Sequence, residues 1–214
     1  ESIVLDQGTL ALRAPTAEAV DGYLTKGFAA AGERHWTADE VPPEAGPFRP
    51  IALRVLDGQG HVTDSVRSVD PVTIELEYSL EEAISGLRVG IYVMTVRGEY
   101  LFASFDTDDP EKFRQFGARE PGTYISRCRI PANLLNEGRF LIGMNASTFR
   151  IKRYFMEERS LTFTVDGVGA PGSQWHELRP GPIRPQLDWQ IQQTEPERSL
   201  AAAGGPQALE RNAE

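Results

Sequence analysis

The chain has 214 residues, of which 40% are hydrophobic, 25% charged and 9% aromatic. This composition is typical of a folded globular domain and excludes a mostly disordered chain, and the longest apolar runs are too short to span a membrane. The net charge is −9 and no segment is net basic, which argues against general nucleic-acid binding and against attachment to anionic lipid.

Residues 1–32 have the pattern of two short strands followed by a helix. The strand candidates are Ser2–Asp6 and residues 9–12, which flank a turn. Apolar residues then recur at three- and four-residue spacing over residues 17–31, which predicts a helix with Thr16 as its N-cap. Because a lone strand is not stable, we expect this part to be the end of an upstream domain.

Residues 33–47 are predicted to be a linker, because they are rich in proline and acidic residues. From residue 48 onward the pattern changes to period-two alternation, interrupted by turn signals every eight to twelve residues. Two strands show it best, with inward faces formed by Val72, Ile74, Leu76 and Tyr78 and by Leu87, Val89, Ile91 and Val93.

Many short strands with little helix predict an all-β fold, an immunoglobulin-like antiparallel β-sandwich with jelly-roll-like character, over residues 48–191. Short helices are expected at Pro110–Phe116 and at residues 132–135. Residues 167–173 form a flexible joint, and residues 174–191 carry enough apolar side chains for one more strand. We expect residues 192–214 to be a disordered tail.

Motifs for catalysis, cofactors and metals are missing from the sequence. It contains no phosphate-binding loop, no dinucleotide fingerprint and no nucleophile elbow, and its three histidines are isolated. We therefore assign no catalytic residue and no metal ligand. The acidic run at residues 106–111 has the oxygen ligands of a Ca²⁺ loop, but we favour Asp108 or Asp109 as the cap of a short helix begun by Pro110.

The candidate site is an outer sheet face with aromatic, arginine and asparagine side chains. Arg88 and Tyr92 lie opposite the apolar residues of one strand, and Arg139 and Asn145 do so on another. Aromatic rings stack on sugar C–H surfaces and planar polar groups bind hydroxyls, so this face is suited to carbohydrate. The alternative is an ordinary outer face on which arginine stems cover apolar surface.

Several segments resemble a known family. Residues 2–8 and 19–24 resemble the C-terminal ends of ABC-transporter ATPase domains. This chain has Ala14 at a position where such ends more often have glycine. Several later segments resemble the C-terminal domain of Wzt-type proteins. These proteins are the ATP-binding subunits of O-antigen polysaccharide exporters. The later segments are PGTY at 121–124, IPANLLNEGRF at 130–140, LTFTV at 161–165 and RPQLDW at 184–189.

The resemblance implies a non-catalytic β-sandwich that recognises the exported O-polysaccharide in the cytoplasm, peripheral to the inner membrane. It also implies a homodimer, because the ATPase subunits work as a pair, and contact with the permease through the parent ATPase domain. ATP and Mg²⁺ would bind in the upstream ATPase domain, of which residues 1–32 would be the C-terminal end. No cofactor is therefore expected in this chain. The family's sugar contacts vary with the polymer, so our site residues still rest on alternation.

Two other functions are compatible with the sequence. The sandwich could be a dimerisation or docking module of the exporter without sugar contact, in which case a flat apolar patch is expected. It could instead process glycosides, which requires two carboxylates about 5–9 Å apart across a cleft.

Overall fold

The computed structural model describes residues 1–6, 8–24, 32–175 and 179–192, and strands predominate in them. The strands and α-helices are, in chain order, β1 (Ser2–Asp6), β2 (Thr9–Ala14), α1 (Thr16–Leu24), β3 (Glu33–His35), β4 (Phe48–Leu56), β5 (Ser65–Arg67), β6 (Val72–Leu80), β7 (Ile84–Ser85), β8 (Leu87–Thr95), β9 (Tyr100–Phe105), α2 (Pro110–Phe116), β10 (Ala118–Arg119), β11 (Gly122–Ile130), β12 (Gly138–Thr148) and β13 (Lys152–Asp166).

Two sheets make up the main body of the fold. One has four strands in the order β11-β6-β4-β3, and the other has five in the order β5-β13-β12-β8-β9. All neighbours in these two sheets are antiparallel except β5 and β13, which are parallel. This arrangement confirms the predicted all-β sandwich. Among the described residues, two further pairs, β1-β2 and β7-β10, lie outside these sheets.

The core lies between the two sheets and follows the predicted alternation. On β8 the inward residues Val89, Ile91 and Val93 are fully buried, and on β12 Phe140 and Ile142 are buried beside them. Each buried aliphatic side chain of this kind contributes roughly 1.5–3 kcal/mol relative to an exposed one. The alternate positions of both strands face away from this core, as the sequence predicts, although Met94 and Leu141 at these positions are also buried.

The predicted linker is wrong for residues 33–47, because the structure incorporates them into the sandwich. Glu33–His35 forms the edge strand β3 against β4. The Trp36 indole is buried, packs edge-on to the Phe155 ring at 5.4 Å, and donates a hydrogen bond from Nε1 to Glu157 at 2.9 Å. Val41 and Ala45 are also in the core. Proline and acidic residues indicated irregular backbone correctly, but irregular backbone can still carry buried side chains.

The additional strand predicted within residues 174–191 is absent from the described part of that range. Residues 179–184 are instead attached to the sandwich by hydrogen bonds, including two from Asn136 Nδ2 to backbone carbonyls and one from the Arg184 amide to Leu134 at 2.9 Å. Beyond them, Leu187, Trp189 and Ile191 are exposed. The predicted tail, apart from Gln192, lies outside the described residues.

The predicted helices have mixed outcomes. Helix α2 matches its prediction, and Asp109 caps it by accepting hydrogen bonds from the amides of Glu111 and Lys112. Residues 132–135 form a turn instead, with Asn133 at a φ of 59°. Helix α1 covers the first part of its predicted range, and residues 25–31 lie outside the described residues. No helix in the described part of the chain is long and apolar enough to cross a bilayer.

A polar network joins the two sheets beside β10. Directly after β9, Asp106 accepts hydrogen bonds from the Val89 amide at 3.0 Å and from Ser126 Oγ on β11 at 2.7 Å. It also forms an ion pair of 2.9 Å with the buried Arg119, whose guanidinium donates to the Tyr78 hydroxyl. Burial raises the pKa of Tyr78 to about 12. The network holds together residues of β6, β8, β10 and β11.

Candidate binding site

Three of the four predicted site residues meet on the outer face of the five-stranded sheet. The register of β8 and β12 pairs Arg88 with Ser147, Gly90 with Asn145 and Tyr92 with Gly143. These positions follow one another along the face, since alternate residues of a strand point to the same side. Arg88, Tyr92 and Asn145 line one open cavity of about 340 Å³.

Arg88 is held in place from several sides. Its guanidinium lies 4.4 Å from the ring centre of Phe105 and 5.0 Å from that of Phe149, so it is placed between two aromatic residues. Its Nε donates to Ser147 Oγ at 3.1 Å, and Ser147 Oγ donates to Asn145 Oδ1 at 3.0 Å. Cation–π contacts of this kind stabilise by about 0.5–1 kcal/mol at exposed sites. The guanidinium is therefore oriented before any ligand arrives.

An aromatic row continues from Arg88 along the sheet. The Tyr92 ring is edge-on to Phe105 at 6.5 Å and to Tyr100 at 5.5 Å, and Tyr100 is exposed. Two glycines permit this close packing. A Cβ on Gly90 would overlap the Ser104 carbonyl and the Phe105 ring, and one on Gly143 would overlap the Glu158 backbone.

Arg139 is not part of this cavity. Arg139 and Asn145 are on the same side of β12, but they are six residues apart, which is about 20 Å along an extended strand. Alternation in a sequence assigns a residue to a face but not to a place on that face. The structure therefore separates Arg139 from the other three predicted residues.

The turn between β12 and β13 supplies the site residues that the sequence interpretation missed. The turn is closed by a hydrogen bond from the Ile151 amide to the Thr148 carbonyl at 3.0 Å, and Arg150 adopts a φ of 57°. It carries Phe149 over Arg88 and leaves Ile151 81% exposed. Arg150, Lys152 and Arg153 also line the cavity. The available signal was the run FRIKR, which alternates apolar and basic residues in an acidic chain.

The carboxylates considered for other chemistry have structural partners. Asp109 caps α2, and Asp106 pairs with Arg119. No Asp or Glu is among the described residues that line the cavity, so it contains no pair of acids for glycoside hydrolysis. Within the described residues, no group of three or more His, Cys, Asp or Glu is arranged to hold a metal ion.

The fold defines a β-sandwich domain with a polar and aromatic cavity on one outer face. The family model of the Wzt C-terminal domain matches residues 49–176, more than half of the chain, and the chain belongs to this family. Membership confirms the resemblance to the Wzt C-terminal domain and associates the chain with an O-antigen ABC exporter.

A solved structure described as "Crystal structure of the C-terminal domain of wzt" is similar to this chain with a TM-score of 0.55 and 14% sequence identity. The alignment covers 80% of this chain and 96% of that one. At this identity the likeness supports the fold alone. No curated protein matches the chain.

Proposed function

We propose that this domain recognises O-antigen polysaccharide at the cytoplasmic face of the inner membrane and couples recognition to export, without catalysing a reaction. The observation that carries the proposal is the oriented series Arg88, Ser147 and Asn145, which lies in one cavity with the half-buried Tyr92 ring and the exposed Phe149 ring. These groups lie on the outer face of the sheet, outside the core cluster, and line an open cavity. Arg88 is half-buried, whereas Asn145 and Ser147 are buried, so a ligand reaches the amide and the hydroxyl only by entering the cavity.

The chemistry of the cavity suits a sugar. Tyr92 and Phe149 line the cavity and offer ring faces and edges to C–H surfaces, and the Tyr100 ring lies beside Tyr92. A guanidinium and an amide offer several hydrogen bonds to hydroxyls. An open cavity on a sheet face admits part of a long chain, whereas a closed pocket would require a small ligand. These properties favour a polysaccharide segment over a metabolite.

The polysaccharide isolated from the source organism tests the proposal, with an unrelated polymer as the negative control. Tyr92→Ala is expected to weaken binding by about 5- to 150-fold, because losing one good interface side chain costs about 1–3 kcal/mol. Its effect on stability should be modest, since the ring is half-buried and packs on other outer-face residues. Titration calorimetry and thermal unfolding measure the two effects separately.

Ile91→Ala is the matched control on the same strand. Ile91 is fully buried in the core, so its truncation should destabilise by about 2–5 kcal/mol and leave the affinity of the remaining folded protein unchanged. Unchanged binding by Tyr92→Ala together with a large loss of stability would show that Tyr92 serves packing and would contradict its role as a contact.

A second candidate function, dimerisation, is favoured by the segment after residue 184. Leu187, Trp189 and Ile191 alternate with polar residues, and all three are exposed. A row of this kind buries its apolar side chains when it pairs with another surface. We infer that the surface belongs to a second copy of the chain, because the exporter's ATPase subunits work as a pair, and that the permease is contacted through the ATPase domain. ATP and Mg²⁺ are assigned to that upstream domain.

Replacing Leu187, Trp189 and Ile191 together by serine is expected to convert a dimer into a monomer, because it removes the apolar side of the segment. Light scattering at tens of micromolar protein measures this. The matched control replaces Gln186, Asp188 and Gln190 by serine and should leave the dimer intact. An unmodified chain that is monomeric under these conditions would contradict the inferred homodimer.

A further inference from the structure

The cavity is strongly basic, although the chain carries a net charge of −9. Four of its ten lining residues are cations, namely Arg88, Arg150, Lys152 and Arg153, and none is Asp or Glu. Cations gathered in a concave site reinforce one another's potential and concentrate anions there. The charge of the cavity is thus positive, whereas the net charge of the whole chain is negative.

These four cations also lack carboxylate partners among the described residues. Arg34, Arg54 and Arg119, in contrast, each form an ion pair. Arg88 and Arg150 instead contact aromatic rings, and Arg88 also donates to the Ser147 hydroxyl. Lys152 donates to the Gly46 carbonyl at 2.7 Å. Like charges repel in this arrangement, and within the described residues no ion pair with a carboxylate offsets the repulsion.

Arg88 has the geometry to receive an anion. Its Nε donates to Ser147, and its two terminal nitrogens make no hydrogen bond within the described residues. Phe105 and Phe149 restrict the orientation of the guanidinium. An oriented guanidinium binds carboxylate or phosphate oxygens in a bidentate manner, which a neutral hydroxyl cannot match.

We propose that this cavity binds an anionic substituent of the polysaccharide, a carboxylate or a phosphate group, and thereby selects an acidic polymer; this rests on the proposed function. A bilayer of anionic lipid is the competing ligand, because Phe149 and Ile151 are exposed beside the basic residues. The structure favours the saccharide. Asn145 and Ser147 form a polar, recessed part of the cavity that a flat surface does not reach, and the net negative charge of the chain opposes a lipid surface.

The test compares the source organism's polysaccharide before and after removal of its charge. Reduction of carboxyl groups to alcohols removes uronic acids, and aqueous hydrogen fluoride removes phosphate. One of these treatments should abolish most of the binding and so identify the anion. Arg150→Gln and Arg153→Gln should each weaken binding of the untreated polymer about tenfold, since charge-assisted hydrogen bonds are lost, and should not change the weaker binding of the neutralised polymer.

Arg129→Gln is the charge-matched control, because Arg129 is exposed on β11 of the other sheet. It should bind the untreated polymer normally. Equal binding of untreated and neutralised polymer, or binding of a polymer that has no acidic group, would overturn the anion site while leaving the proposed function intact. No binding of the polymer by the unmodified chain would overturn both. If the Arg150 and Arg153 variants lose only their binding to phosphatidylglycerol vesicles, the basic surface is a lipid site and the proposal is wrong.

Discussion

Replacing Asp106 by alanine is expected to lower the free energy of unfolding by about 3–5 kcal/mol, because it leaves the buried Arg119 guanidinium without its carboxylate. The Val89 amide and the Ser126 hydroxyl lose the same acceptor. The substitution therefore removes one group that joins residues of both sheets. Chemical denaturation monitored by tryptophan fluorescence measures the change.

The matched control is Glu81→Ala, which breaks an ion pair with Arg49 at 2.7 Å. Both side chains of that pair are about half exposed, so a loss of no more than about 1 kcal/mol is expected. If Asp106→Ala costs no more than Glu81→Ala, Arg119 becomes hydrated when its partner is removed, and the network does not stabilise the junction of the sheets.

Replacing Trp36 by alanine is also expected to cost about 3–5 kcal/mol, since it removes a large buried ring from the core. The variant loses the edge-on contact with Phe155 and the hydrogen bond to Glu157. The result tests whether residues 33–47 belong energetically to the sandwich, as their burial indicates. Thermal and denaturant unfolding provide the measurement.

Trp189→Ala is the control for this change, because Trp189 is 84% exposed within the chain. Its truncation should alter the free energy of unfolding of the monomer by less than about 0.5 kcal/mol. A small loss for Trp36→Ala, comparable with that of Trp189→Ala, would mean that the segment can detach without affecting the sheets.

Alternation predicted the fold because the inward positions of the central strands are uniformly apolar, whereas the outward positions include polar side chains. Ile91 and Tyr92 show this directly, since adjacent residues point into the core and to the outer face. The distance of Arg139 from Asn145 follows from their six-residue spacing on one strand. Which end of β12 lies beside Arg88 and Tyr92 was not predictable, because it depends on the register with β8. The burial of Trp36 was also missed, since it lies in irregular backbone that has no periodicity.

The hairpin residues of the site were missed for a different reason. Phe149 reaches Arg88 only because the chain turns back after Thr148, and Arg150 takes a left-handed conformation in that turn. A propensity pattern identifies the turn but not the face over which it lies. The sequence therefore predicted the cavity residues on β8 and β12, including Asn145, and not those in the turn between β12 and β13.

Gly90 and Gly143 belong to the strands beneath the cavity, where substitution is restricted, whereas the turn between β12 and β13 can be changed. Side chains at these two positions would collide with the backbone of neighbouring strands, so both positions require glycine. Ile151 is exposed to solvent, and the exposed Arg150 contacts the Phe149 ring of the same turn. If the domain binds a polymer as proposed, exchanging the β12–β13 turn alone is expected to change which polymer is bound while the sandwich stays unchanged.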